Sequence, residues 1–117
     1  MAAPNLVNVT TIYGKTAVQQ ITTSATAIVT NSAASGKVQK INALYVSNVN
    51  ASTAATVTVD VYRSTTAYRI AFGVSVPAGA SLDVISKSVY LEEGDSLRLT
   101  ASVNSYLEGV CSYEELN

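Results

Sequence analysis

Residues 56–63 alternate without a break: Val57, Val59 and Val61 fall on one side of the chain, Thr56, Thr58, Asp60 and Tyr62 on the other. This period of two is the mark of a strand with one buried face. It recurs along most of the sequence. Tyr68, Ile70, Phe72, Val74 and Val76 share a face opposite Arg69, Ala71, Gly73 and Ser75. Leu97, Leu99, Ala101 and Val103 alternate with Ser96, Arg98, Thr100 and Ser102. No stretch of eleven or more residues repeats apolar positions at the three-and-four spacing of a helix. Alanine is abundant and favours helix, yet Thr, Ser and Asn interrupt its runs and favour strands and turns.

Turn residues divide the pattern. Asn31–Gly36, Asn50–Ala55, Ser64–Thr66, Pro77–Gly79, Glu92–Asp95 and Asn104–Ser105 each separate two apolar runs. The expected strands are 12–21, 25–30, 38–49, 56–63, 68–76, 81–86, 89–91, 97–103 and 106–113. Ile12, Val18 and Ile21 are the apolar positions of the first. The Tyr68–Val76 stripe is the longest and is expected to be core, hairpin-paired with Val57–Val61. Residues 38–49 are not cleanly one-sided, as suits a central strand or one in contact with a neighbour. A single sheet leaves its apolar face in water unless a second covers it. The fold class is therefore all-β: a two-sheet β-sandwich, jelly-roll or immunoglobulin-like, of about eight short strands. Residues 1–11 read as an extended N-terminal arm, with Pro4 blocking regular structure and Leu6, Val7 and Val9 able to dock on a neighbour. Residues 12–117 form the single β-sandwich domain.

The side chains present exclude most chemistry. Histidine is absent, so Ser-His-Asp and Cys-His arrangements cannot form. Cys111 is the only cysteine, so no intrachain disulfide is possible, and a buried thiol is expected. A zinc site lacks ligands, and no Gly-rich phosphate loop is present. Glu92, Glu93 and Asp95 cluster, but in one turn rather than across a cleft, and they match no calcium-loop spacing. A solvated turn around Gly94 is the expectation there. The reading is of a chain that is not an enzyme, with no catalytic residue, no metal and no cofactor.

Net charge is −1, which gives no global attraction to nucleic acid. The charge is uneven: residues 1–91 hold six basic and two acidic residues, and residues 92–117 one basic and six acidic. Such halves suit contact between copies. Seven tyrosines stand against one phenylalanine and no tryptophan. Tyrosine carries an apolar body and a polar tip and is enriched in interfaces. Tyr13, Tyr62, Tyr90, Tyr106 and Tyr113, with Leu6, Val7 and Val9, are the expected interface residues. A start without a basic segment and a long apolar run predicts no signal peptide, and nothing reaches the length of a membrane span. Neither nucleic acid nor membrane is an expected partner.

Two segments carry a resemblance. One is Val76-Pro-Ala-Gly79 with the alternating strand after it. The other is Tyr90-Leu-Glu-Glu-Gly-Asp95-Ser-Leu-Arg-Leu99, then Ala101-Ser-Val-Asn104 and a strand reaching Ser112-Tyr-Glu-Glu115. Together they cover about a third of the chain. In this strand, Gly-Asp turn, strand ending the chain resembles small β-sandwich virion proteins of tailed bacteriophages; residues 12–63 carry little of the likeness. The resemblance implies a capsid decoration (cement) protein stabilising the assembled particle through inter-subunit contacts. The alternative is a neck or tail accessory or adhesion protein, with a possible carbohydrate-binding face. It further implies a homo-oligomer, the major capsid protein or neck and tail proteins as partners, and a virion location after synthesis in the host bacterial cytoplasm. No catalytic residue belongs to the resemblance.

Overall fold

The computed structural model describes residues 4–117; residues 1–3 of the expected arm lie outside the described residues. Nine strands follow a short 3-10 turn at Leu6–Asn8: β1 (Ile12–Gln20), β2 (Thr26–Thr30), β3 (Val38–Asn48), β4 (Ala55–Arg63), β5 (Thr66–Val76), β6 (Ser81–Asp83), β7 (Val89–Leu91), β8 (Ser96–Ala101) and β9 (Leu107–Leu116). All pair antiparallel, in two sheets. The first has the order β1-β9-β3, with β6 and β7 both on the far side of β3; the second has the order β2-β8-β4-β5. The fold is thus the all-β, two-sheet sandwich expected from the alternation. No helix among the described residues is long and apolar enough to cross a membrane.

The pairing follows from the sequence breaks. Only β4 and β5 form a direct hairpin, through Ser64 and Thr65, both at positive φ (50° and 61°). That is the geometry of a two-residue primed turn. β3 is central, as its two-sided pattern implies. It bulges between Ile41 and Ala43. Its other neighbour breaks at the same level: β6 pairs with Tyr45–Ser47 and β7 with Gln39–Ile41. Ile85, between β6 and β7, turns into the core instead of continuing the expected 81–86 strand.

The core lies between the sheets. Leu44, Val46, Leu107 and Cys111 from the first sheet meet Val57, Val59, Leu97 and Leu99 from the second. Gly109 faces Leu99 across the core. A Cβ there would lie 2.9 Å from Leu99 Cδ1 and 3.5 Å from Ile28 Cδ1. At 25 cal/mol per Å², burial of such a core drives folding, about 2 kcal/mol for each large apolar side chain removed from water.

Two expectations about the core are corrected. The Tyr68–Val76 stripe is not core: only Val76 is buried, and Phe72 is 74% exposed. β5 is the outer strand of its sheet and carries two extra residues relative to β4. Each bulge shifts the alternation by one, so the stripe does not stay on one face. Tyr68, at the start of that stripe, is 60% exposed. In β1, Ile12 and Val18 are exposed, whereas Ala17, paired with Cys111, packs inward.

Candidate interaction surfaces

The carboxylates of Asp60, Glu92, Glu93, Asp95 and Glu115 are occupied by structural bonds. Asp95 is 1% exposed, not solvated as the turn composition suggested. Arg63 donates from Nε to Asp95 Oδ1 at 2.7 Å and from Nη2 to Asp95 Oδ2, and reaches Glu92 Oε2 at 2.9 Å. The Glu92 amide donates to Asp95 Oδ2 at 2.8 Å, and the Gly36 amide to Glu93 Oε2 at 2.8 Å. The hydrogen bond from Arg63 holds the Asp95 carboxyl below the usual range, against the opposing effect of burial. Asp60 accepts from Arg98 Nε at 2.9 Å, and that guanidinium stacks 4.0 Å over the Tyr62 ring.

Glu115, near the end of β9, is also buried. Burial would raise its pKa, but donation from Lys15 (3.2 Å), Gln39 (3.3 Å) and Lys37 (3.2 Å) holds it low. Burial pushes the Cys111 thiol up to about 11, which leaves it a poor nucleophile at neutral pH. Among the described residues, no group of three or more acidic or cysteine side chains is placed to hold a metal ion.

Several large apolar side chains remain open to solvent. Of the expected interface residues, Val7 (88% exposed), Leu6, Tyr13 and Tyr90 are exposed. Val9 and Tyr62 are half-buried. Tyr106 and Tyr113 are half-buried and pack against the core. The eight do not form one patch. Leu6–Asn8 precede β1, whose start is tied to the C-terminal residue: the Thr10 amide donates to the Asn117 carbonyl at 2.9 Å, and the Asn117 amide to the Thr11 carbonyl at 3.0 Å. Tyr62 is on the outer face of the second sheet, and Tyr90 is beside Lys40 in the first.

Two further surfaces were not legible in the sequence. One is the β5 edge, with Tyr68, Ile70, Phe72 and Val74 exposed. The other is an apolar row across the outside of the first sheet. Val18 pairs with Val110, and Val110 with Tyr45, so three exposed side chains sit side by side on β1, β9 and β3. The signal for this row was present in Val110 and Cys111. Once Cys111 is inward, Val110 must face out.

No protein-family model matches the chain, and no curated protein matches it. Solved structures do. One is a protein of Bacillus endospore appendages, described as a novel family of disulfide-linked pili. It is 14% identical, with 92% of this chain and 88% of that chain covered and a TM-score of 0.53. Two others are structures of a pentameric capsid protein isolated from metagenomic phage sequences. Each is 17% identical, with 98% of this chain covered and a TM-score of 0.43. This chain spans 64% and 66% of their lengths. At these identities, similarity to the appendage protein is a likeness of fold.

Proposed function

We propose that this chain is a non-enzymatic structural subunit of a virion, a capsid decoration protein of jelly-roll topology that stabilises the particle through contacts between subunits. The observation that carries the reading is the contrast between charged and apolar groups. Asp60, Asp95 and Glu115 are buried in internal ion pairs, while Val7, Val18, Tyr68 and Phe72 stand in solvent. A catalyst spends its carboxylates on a substrate; this chain spends those three on its own fold. Exposed apolar side chains in such number suit burial against other protein. Counting β6 and β7 as one broken strand, the two sheets interlock as two four-stranded layers, the layout of jelly-roll shell proteins.

The partners under this reading are further copies of the chain and the major capsid protein. The N-terminal arm, residues 1–11, lies on a neighbouring subunit through Leu6 and Val7. Copies cohere without disulfide links, because the only thiol is fully buried. Synthesis is in the host bacterial cytoplasm, followed by incorporation into the virion. Electron microscopy of purified virions labelled with antibody to this chain tests the role. Regular labelling over the head supports it; label confined to a neck or tail, or none, contradicts it.

A second reading has one observation in its favour. Val61, Arg63, Tyr68, Val89 and Tyr90 line a recess of about 360 Å³ on the open side of the sandwich. Two exposed tyrosines beside an arginine suit a sugar ring in a neck or tail adhesion protein. Glycan-array binding that Tyr68→Ala abolishes would favour this reading over the first.

A further inference from the structure

The two surfaces missed by the sequence pattern complement each other. On β5, the Arg69 guanidinium lies 5.5 Å from the centre of the Phe72 ring. Both side chains are exposed, Phe72 at 74%. Arg69 forms no ion pair among the described residues; the neighbouring Asp60 is taken by Arg98. The result is a protruding aromatic knob with an unpaired cation. On the first sheet, Val18, Gln19, Gln20, Glu108, Gly109 and Val110 line a shallow recess of about 370 Å³. Its apolar lining is the adjacent side chains of Val18 and Val110. At its rim is the exposed carboxylate of Glu108, which also lacks an ion pair among the described residues.

The fold puts the two features on opposite sides of the molecule. β1 lies against β2, where Gln19 Nε2 donates to the Ala27 carbonyl at 2.9 Å. β5 is at the other end of the β2-β8-β4-β5 sheet, next to the β7 side of the first. Knob and recess therefore cannot meet within one copy. Strand addition at β5 is disfavoured, since its two bulges break the ladder that an added strand would need. A contact at this edge must be made by side chains.

We propose that Arg69 and Phe72 of one copy seat in the recess of a second copy, the ring over Val18 and Val110 and the guanidinium on Glu108. This deepens the proposed function and rests on its premise that the chain assembles with itself. The pairing matches an apolar body to an apolar socket and a free cation to a free anion. A buried aromatic of this size removes about 150–250 Å² from water. An arginine–carboxylate pair gives the contact its register. Because donor and acceptor surfaces differ, the contact is head-to-tail and builds a ring or a filament.

Charge reversal tests it. Sedimentation of the wild-type chain over a concentration series is compared with Arg69→Glu, Glu108→Arg, the double variant and Phe72→Ser. All three positions are exposed, and circular dichroism checks that each variant keeps its sheets. Wild type is expected to self-associate, less so at high salt, where exposed pairs are screened. Each single variant should weaken association at least about tenfold, a change of 1.4 kcal/mol. The double variant should regain it, as should an equimolar mixture of Arg69→Glu with Glu108→Arg. Association that is indifferent to the single changes, or a double variant no better than either, overturns this contact and leaves the proposed function standing. A wild-type chain that stays monomeric overturns the contact and removes the premise of self-assembly with it.

Discussion

Arg63 and Asp95 are 32 residues apart in sequence, and two nitrogens of the Arg63 guanidinium grip both oxygens of the Asp95 carboxylate. The bond locks the end of the β4–β5 hairpin onto the turn that begins β8. The same carboxylate accepts the Glu92 amide, so one buried side chain closes its own turn and fastens it to the next strand. Removing Arg63 would leave Asp95 buried without a counter-charge. Arg63→Ala should cost about 2–3 kcal/mol, reduced from the fully buried case because the Arg63 side chain is 47% exposed. Glu92→Ala removes only an exposed partner and should cost less than about 0.5 kcal/mol. Urea midpoints of the two variants measure the difference, and equal losses would refute the assignment.

Acid should weaken the fold through Asp95 and Glu115. Both carboxyls titrate below their ordinary values of 3.8 and 4.5 in the folded chain. The unfolded chain therefore takes up protons first as pH falls. The stabilisation is complete above the ordinary range and is lost as pH drops through it to the depressed folded values. Urea midpoints should be level from neutral pH down to about pH 5 and fall below it. Glu115→Gln should flatten its share of that fall. A profile unchanged by this substitution would show that Glu115 contributes nothing to it.

Gly109→Ala should destabilise the sandwich by about 1–3 kcal/mol, the usual cost of overpacking a core. The added methyl meets Leu99 Cδ1 at 2.9 Å, and Leu99 is fully buried with little room to move. Leu99→Val in the same chain withdraws the opposing atom and should recover part of the loss in thermal unfolding. No recovery would locate the strain elsewhere.

The β4–β5 turn holds two side chains in left-handed backbone, where Asn-Gly is the preferred pair. Thr65 is β-branched and suits φ of 61° poorly. Ser64→Asn with Thr65→Gly should raise stability by about 1 kcal/mol, with a matching rise in Tm. A lowered Tm would mean that these side chains make stabilising contacts beyond the turn.

The strands were legible because period two is a local property, and the central place of β3 could be read from its apolar residues on both faces. Burial was less legible where it depends on neighbours remote in sequence. Phe72 and Val74 look like core in one dimension, but two bulges and an outer position turn β5 into surface. Asp95 looks like a solvated turn residue because its partner, Arg63, is on another strand. Val18 reads as an inward residue until β1 is set against β9, whose Cys111 fixes which side of the sheet is inside. The candidate surface was therefore half legible: Leu6, Val7, Tyr13 and Tyr90 were singled out from the sequence and are exposed, while Val18, Phe72 and Glu108 emerged only with the register.

Under the proposed function, apolar side chains that the isolated chain leaves in water become covered in the particle. Hydroxyl-radical footprinting of the chain in the purified particle, against the free chain, reads that directly. Strong protection of Leu6, Val7, Val18 and Phe72 in the particle is the expected result. Equal labelling of these four residues in both states would contradict the account.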